Sequence, residues 1–163
     1  MTTEEVYTDA IDNTYLEWTG VGNTPYLQNT DSDLINKNIA GKKEGCWTFP
    51  NSVGSGTINS VKLRFEGRVS IVDANGWRVY VWDGSSWINA GAFYPPSTSY
   101  AWYEKDVSTI LNTWTKINGC KVYIVSIRAS GIIYVRRLTR KVDYSVPVAV
   151  KRVVGDGLTF VIA

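Results

Sequence analysis

Aromatic side chains gather between residues 78 and 103, and they are the residues best suited to recognition chemistry. Tyr and Trp recur there in "RVYVWDGSSWINAGAFYPPSTSYAWY". Exposed rings can stack on the apolar C–H faces of sugars, while cationic and amide groups bond the hydroxyls. The candidate carbohydrate-binding residues are Arg78, Tyr80, Trp82, Trp87, Tyr100 and Trp102. The same rings could instead fill the core or line a subunit interface, and the sequence leaves these alternatives open.

A possible calcium site lies in "NTDSDLIN", where Asp31 and Asp33 stand two positions apart with Asn29 and Asn36 nearby. Carboxylates and loop carbonyls are the oxygen ligands that calcium prefers. Asp31 and Asp33 are therefore candidate ligands, and calcium is the only cofactor that the sequence suggests. A turn closed by Asn and Asp side chains would give the same pattern and is the favoured interpretation.

Catalytic signals are faint. The chain has no histidine, which removes the commonest general base and most zinc and iron sites. The glycine-containing stretch "NSVGSGTINS" lacks the lysine and the strand–helix context of a phosphate-binding loop. No pair of carboxylates stands out as a glycosidase site. We therefore expect no enzymatic activity.

The two cysteines, Cys46 and Cys120, each follow a glycine and begin an apolar strand. They are too few for a zinc site, which usually has four ligands. They are either two buried free thiols or a disulfide, and a disulfide would imply an oxidising environment.

The elements that position these residues are mostly strands, because apolar and polar residues alternate along the chain. "GWRVYVWDGSSWINAG" predicts a hairpin that turns at "DGSS". The apolar parity changes within "IIYVRRLTRKVDYS", which predicts a β-bulge near Arg136–Arg137. Only "DVSTILNTWTKI" has helical spacing, and we expect one or two turns capped by Asp106 or Ser108.

Strand-like segments recur about every ten to fifteen residues with Gly, Asn, Ser and Pro between them. This spacing predicts an all-β protein, an antiparallel β-sandwich of the jelly-roll type with one short helix. We expect residues 1–145 to form the sandwich. Residues 146–163 are expected to form a C-terminal β-hairpin or arm, part of the same domain or of a subunit contact.

The charges are unevenly distributed, although the formal net charge is only +2. Residues 1–33 carry seven acidic residues and no Lys or Arg, whereas residues 121–163 carry eight basic and two acidic residues. Either the first and last strands lie side by side in one sheet, or the two ends attract across subunits. The run "RRLTRK" could face nucleic acid, but a solvated edge strand guarded by charge is the favoured interpretation.

The chain ends on the apolar stretch "GDGLTFVIA", which needs a partner because an exposed apolar strand end promotes aggregation. We expect residues 158–163 to pair with the acidic N-terminal strand or with another subunit. The candidate assembly contacts are Leu158, Phe160, Val161 and Ile162. The start, "MTTEEVYTDAIDNTY", is too acidic for a signal peptide. We expect a chain used without Sec export, or one whose export signal has been removed.

Five segments follow one another in an order typical of one group of β-sandwiches: "PYLQNTDSDLI", "KEGCWTFPNS", "VYVWDGSSW", "DVSTILNTWTKINGCKVYIVSI" and "IYVRRLTRKVDY". By these segments, about residues 25–145 resemble the galactose-binding-like, or carbohydrate-binding-module-like, jelly rolls of surface and phage proteins. The resemblance implies a binding or structural role, often sugar recognition and sometimes a bound calcium. The matching motifs belong to the fold, so the resemblance assigns no ligand site.

Two functions compete on these grounds. We favour a non-enzymatic structural subunit of a virion, in the capsid decoration, head fibre or tail, whose partners are copies of itself or other virion or surface subunits. The alternative is a secreted or cell-surface carbohydrate-binding module, extracellular in location, whose partners are glycans. We expect neither nucleic acid nor a membrane as a partner, and no stretch is apolar for long enough to span a bilayer.

Overall fold

The chain folds almost entirely into β-structure. The computed structural model describes residues 1–21, 33–37, 40–72, 76–95, 97–127, 131–147, 152–155 and 158–161. Within these ranges two antiparallel sheets pack face to face, and a separate two-stranded sheet forms near the C-terminus.

The larger sheet has six strands, with two long strands at its centre. Its strands are β1 (Thr2–Tyr7), β3 (Thr19–Val21), β4 (Asp33–Lys37), β6 (Thr57–Val69), β9 (Ala101–Asp106) and β11 (Ile132–Ser145). Their order is β3-β4-β11-β6-β9. β1 also pairs with β11, on the part of β11 that follows its pairing with β4.

The smaller sheet has five strands in the order β2-β5-β10-β7-β8. These strands are β2 (Ala10–Leu16), β5 (Lys43–Thr48), β7 (Trp77–Trp82), β8 (Trp87–Phe93) and β10 (Lys121–Ser126). β7 and β8 form the hairpin that the sequence predicts. Its turn closes because Asp83 Oδ1 accepts hydrogen bonds from the backbone N–H groups of Ser85 and Ser86, both at 2.9 Å.

The inner faces of the two sheets meet in one hydrophobic core. Alternate residues of β6 (Val61, Leu63 and Phe65) are fully buried. The Phe65 ring lies 6.2 Å from the ring of Trp77 in the opposite sheet. Each large side chain contributes about 1.5–3 kcal/mol when it is fully buried. The alternation read from the sequence therefore defines the faces that hold the sandwich together.

The path of the chain is that of a jelly roll, because it crosses repeatedly between the sheets. β1 belongs to the six-stranded sheet, β2 to the five-stranded sheet, β3 and β4 to the first again, and β5 to the second. The chain continues to alternate between the sheets: β6, β9 and β11 lie in the six-stranded sheet, and the β7–β8 hairpin and β10 lie in the five-stranded sheet. The predicted all-β antiparallel sandwich is confirmed.

The predicted bulge is present in β11, whose register against β6 shifts between Val135 and Arg137. A bulge adds one residue to a strand and changes which face the following side chains occupy. Leu138, Arg140 and Val142, after the bulge, therefore return to the buried face that Val135 occupies before it.

The helix has the expected length of one to two turns but starts later than the sequence suggests. α1 comprises Trp114–Asn118, and its N-cap is Thr113, whose hydroxyl accepts from Lys116 N. Asp106 instead closes the preceding turn, because its Oδ1 accepts from Ser108 N at 2.8 Å. Asp106 and Ser108 were therefore the wrong caps. Among the described residues, no helix is long and apolar enough to cross a bilayer.

Arg140 corrects the interpretation of the basic run. β11 lies between β6 on one side and β1 and β4 on the other, so it is not a solvated edge strand. Arg140 is fully buried, and it donates to the carbonyls of Ile117 at 2.6 Å and Pro50 at 2.8 Å. This guanidinium joins the end of α1 to the segment after β5 and is inaccessible to nucleic acid.

The acidic N-terminus does lie beside a basic strand, but that strand is β11. Glu5 of β1 accepts from Arg64 Nη1 at 2.6 Å and from the Thr139 hydroxyl at 2.7 Å. The expectation that the first and last strands pair is wrong, since β13 (Leu158–Val161) pairs with β12 (Arg152–Gly155) instead. Whether residues 146–163 act as part of the domain or as an arm stays a prediction.

Both cysteines are buried thiols, and no disulfide joins Cys46 to Cys120. Cys46 stands at a register shift of β5, level with Val122 and Tyr123 of β10, whereas Cys120 precedes β10. At about 3.3 Å per residue, their offset along the strands exceeds the Cα separation that a disulfide allows. Burial raises the pKa of the Cys120 thiol to about 12.

Candidate functional site

The outer face of the five-stranded sheet carries a row of aromatic rings that β7 and β10 position. In β7, Trp77, Val79 and Val81 are fully buried, so Arg78, Tyr80 and Trp82 point outward. In β10 the same alternation points Tyr123 outward, directly opposite Tyr80. We call the following set the aromatic face: Tyr15, Tyr80, Trp82, Trp87 and Tyr123.

Tyr123 is the centre of the aromatic face. Its ring stacks on Tyr80 with centroids 4.7 Å apart and an interplanar angle of 5°. Tyr15 of β2 reaches it from the other side at 4.8 Å, across β5. The residue of β5 that is opposite both rings is Gly45, which has no side chain to separate them. The row therefore continues across all five strands.

Trp82 and Trp87 extend the aromatic face at the β7–β8 turn. They are cross-strand partners, and their rings meet edge to face at 5.5 Å. Trp87 also contacts Tyr123 at 4.6 Å. Each of the two Trp side chains is half-buried, so neighbouring rings fix its orientation while part of its surface stays in contact with solvent.

Protonation keeps the centre of the aromatic face uncharged. Burial, together with the neighbouring Tyr80 and Tyr15, raises the pKa of Tyr123 to about 12. The phenol is therefore neutral at physiological pH and can donate a hydrogen bond. Lys43 lies over the same rings, with Nζ 4.8 Å from the Tyr15 centroid and 5.9 Å from that of Tyr123.

Tyr100 and Trp102 are not part of this surface, which corrects the expectation of one continuous carbohydrate platform. Trp102 belongs to β9, which pairs with β6 in the six-stranded sheet, and Tyr100 immediately precedes β9, so both lie on the opposite side of the sandwich. Of the six candidates, Arg78, Tyr80, Trp82 and Trp87 share a face. The turn after β8 carries the chain to the other sheet, and the sequence does not show this crossing.

Guanidinium groups cover the rings on that opposite side. Arg136 Cζ lies 3.8 Å from the Tyr100 centroid, and Arg64 Cζ lies 4.8 Å from that of Trp102. Arg68 and Arg137 make similar contacts with the same two rings. We call this second surface the arginine face, defined by Arg64, Arg68, Arg136, Arg137, Tyr100 and Trp102.

Carboxylates hold the arginine face in place. Glu66, which is only 5% exposed, accepts from Arg136 Nη2 at 2.8 Å and also from Arg137 Nε. Burial acts to raise the pKa of Glu66, but the hydrogen bonds from the two guanidinium groups outweigh it and lower this pKa to about 2. Glu104 forms a further pair with Arg64 at 2.8 Å.

Sequence reasoning missed Tyr15, Lys43 and Tyr123, although one signal was available. The alternation in "CKVYIVSI" assigns Lys121, Tyr123 and Val125 to one face of a strand. The neighbours of that strand come from distant parts of the chain, so no local pattern could show which rings it meets.

Two residues of the other candidate sites lie outside the described residues. They are Asp31 and Ile162, whereas Asp33 is the first residue of β4. No group of metal-ligating residues occurs within the described part of the chain. Of the assembly contacts, Leu158, Phe160 and Val161 belong to β13 and pair with β12.

Two solved carbohydrate-binding modules are similar in fold to this chain. No family model and no curated protein matches the chain. A family 29 carbohydrate-binding module from Piromyces equi matches with a TM-score of 0.44 and 16% identity, over 86% of this chain and 89% of that one. The C-terminal family 6 carbohydrate-binding module of LamC, a marine laminarinase from Zobellia galactanivorans, matches with a TM-score of 0.44 and 12% identity, over 87% of this chain and 100% of that one. Both proteins are carbohydrate-binding modules, the kind of jelly roll that the sequence resembles.

Proposed function

We propose that this protein binds carbohydrate without catalysing a reaction, and that the aromatic face is its binding surface. The observation that carries the proposal is the continuous row of rings on the outside of the five-stranded sheet. Apolar sugar faces stack on Trp and Tyr rings, and such contacts are favourable because both surfaces leave water.

The length of the row suits a chain of several sugar units. It extends from Tyr15 in β2 to Trp87 in β8, across five hydrogen-bonded strands. At about 4.8 Å between neighbouring strands, the outer strands are about 19 Å apart. A linear polysaccharide lying across the strands could therefore contact the half-exposed rings of Tyr15, Tyr80, Trp82 and Trp87. Tyr123 is only 7% exposed and packs against its neighbouring rings instead.

Pre-organisation supports the same function. The rings are already packed against one another, as in the stacked pair Tyr80 and Tyr123. Little side-chain entropy is lost when a ligand binds to groups that are ordered beforehand. The outward group of Asn89, opposite Tyr80, adds a hydrogen-bonding side chain beside the rings.

The test is a glycan array and a titration with the best-bound polysaccharide. We expect Trp82→Ala and Trp87→Ala each to weaken binding about tenfold or more, as loss of a central aromatic contact does. Trp102→Ala is the matched control, since Trp102 is covered by Arg64 and Arg137 on the other side of the sandwich. It should leave affinity unchanged within about twofold.

Two results would refute the proposal. One is the absence of any glycan bound by the parent protein. The other is an equal loss of affinity in all three Trp variants while their thermal unfolding stays like that of the parent.

A structural subunit of an assembly, such as a virion, is the second candidate. It is favoured by the C-terminal hairpin, which forms a two-stranded sheet of its own within the described residues. Strand addition between subunits would use such a hairpin. The test is molecular mass in solution at several concentrations, for the full chain and for a chain ending at Tyr144. A full chain that stays monomeric throughout would exclude this function.

A further inference from the structure

Three cationic side chains share the outer side of the five-stranded sheet with the aromatic face. Lys121 is the cross-strand partner of Trp82, and Arg78 and Lys43 are both partners of Val125. Along β10, Lys121 and Val125 are each two residues from Tyr123. The cross-strand rows that contain them therefore lie about 7 Å from the row of Tyr123. Positive charges therefore lie on both sides of the Tyr80–Tyr123 pair.

The carboxylates near this surface are already engaged. Glu17 accepts from Lys43 N at 2.5 Å, and Asp83 accepts from the turn N–H groups and pairs with Lys116 at 3.5 Å. Asp9 accepts from the Thr48 hydroxyl at 2.8 Å. Glu44 is buried and accepts from Trp18 N at 2.8 Å.

Arg78 is the cation that is most available to a ligand. Its side chain is exposed, and no carboxylate of the described residues contacts it. This contrasts with Arg64, Arg136 and Arg137 on the arginine face, which are paired with Glu5, Glu66 and Glu104. Lys43 is held in position over the Tyr15 ring.

From this juxtaposition of rings and cations we infer that the ligand of the aromatic face is an anionic polysaccharide. This inference rests on the proposed carbohydrate-binding function and deepens it. Sugar rings stack on Trp82, Trp87 and Tyr80, while carboxylate or sulfate groups on neighbouring units pair with Arg78 and Lys43. A guanidinium binds either group through two parallel N–H donors. The positive potential also accelerates the approach of a negatively charged chain.

The experiment compares two matched pairs of probes by titration. Polygalacturonate and its fully methyl-esterified form test the carboxylate, and dextran sulfate and dextran test the sulfate. We expect one acidic member to bind about tenfold or more tightly than its neutral counterpart, as a charge-assisted hydrogen bond provides. Its affinity should fall several-fold as NaCl is raised from about 50 to about 500 mM, because salt screens exposed charges.

Variants assign the effect to this surface. Arg78→Gln should weaken binding of the acidic probe about fivefold to tenfold and weaken binding of the neutral probe much less. Lys62→Gln is the matched control, because Lys62 is a cation of the opposite side paired with Glu104 at 3.1 Å. It should change neither affinity by more than about twofold.

The outcomes separate this inference from the function on which it rests. Equal, salt-independent binding of acidic and neutral probes that is weakened by Trp82→Ala overturns the inference and leaves carbohydrate binding intact. Acidic-probe binding that responds to salt but to neither Trp82→Ala nor Arg78→Gln overturns both. Binding of one acidic probe alone supports the inference and identifies carboxylate or sulfate as the recognised group.

Discussion

The two outer faces of the sandwich use Trp and Tyr in different surroundings. On the aromatic face the rings contact one another, as Tyr123 does with Tyr80, Tyr15 and Trp87. On the arginine face each ring is covered by guanidinium groups, as Tyr100 is by Arg68 and Arg136. Cross-strand neighbours therefore decide what covers an outward ring.

Acidic residues account for much of this difference. Glu66 and Glu104 stand between the arginines of the six-stranded sheet and fix them by ion pairs. A fixed guanidinium keeps its flat face on the ring beside it. The corresponding outward positions of β7 and β10 have no acid. The cation over these rings is Lys43 of β5, which lies above Tyr15 and Tyr123, and Trp82 and Trp87 stay half-exposed. Ion pairs therefore fix the side chains of the arginine face, whereas ring–ring contacts fix those of the aromatic face.

Replacing Glu66 should have the largest effect among the tests of this contrast between the two faces. Glu66→Gln leaves Arg136 and Arg137 without their carboxylate at a site that is 5% exposed. Breaking such a buried ion pair costs about 3–5 kcal/mol of unfolding free energy. Urea unfolding at pH 7 measures it, and glycan affinity should not change. A variant as stable as the parent would contradict a structural role for the network.

The pH dependence of the same variant is its internal control. Because the pKa of Glu66 is lowered to about 2, its stabilising contribution is complete above its ordinary pKa of 4.5. That contribution is lost as pH falls from 4.5 through 2, and it amounts to about 3 kcal/mol. The Glu66→Gln variant should not show this loss of stability between pH 4.5 and 2.

The second test uses Glu44 of the five-stranded sheet, a buried glutamate whose pKa is raised and not lowered. Burial raises the pKa of Glu44 to about 7, although hydrogen bonds from the N–H groups of Trp18 and Glu17 oppose the rise. The folded state therefore holds its proton more tightly than the unfolded state. Stability should fall by about 2–3 kcal/mol as pH rises from 4.5 through 7.

Glu44→Gln should remove the loss of stability between pH 4.5 and 7. At pH 8 the variant should therefore unfold at a higher urea concentration than the parent. Glu17→Gln is the matched control, since Glu17 is an exposed neighbour that should leave the fall between pH 4.5 and 7 in place. If the parent protein is equally stable at pH 5 and pH 8, Glu44 does not titrate between these two pH values.

The sequence predicts the strands and the faces well because both depend on neighbouring residues. The alternation of Trp77, Val79 and Val81 with Arg78, Tyr80 and Trp82 identifies the inner and outer sides of β7 correctly. The parity of Leu138 and Val142 even assigns Arg140 to the core, although its charge argued for the surface.

The partners of each face were beyond sequence reasoning because they come from distant segments. Tyr15 and Tyr123 meet only after β5 is placed between β2 and β10. Tyr100 follows β8 closely in sequence, yet the chain has crossed to the other sheet before β9 begins. Strand order is a property of the whole fold, and local periodicity contains no information on it.

The smallest expected effect separates burial from charge on the arginine face itself. Glu104 bridges Lys62 at 3.1 Å and Arg64 at 2.8 Å, but its side chain is 38% exposed. Exposed ion pairs contribute at most about 1 kcal/mol, since water and salt screen them. Glu104→Gln should therefore cost about 0.5 kcal/mol in urea unfolding, and about 1 M NaCl should abolish the difference. A loss as large as that of Glu66→Gln would mean that the number of ion pairs, and not their burial, sets the strength of this network.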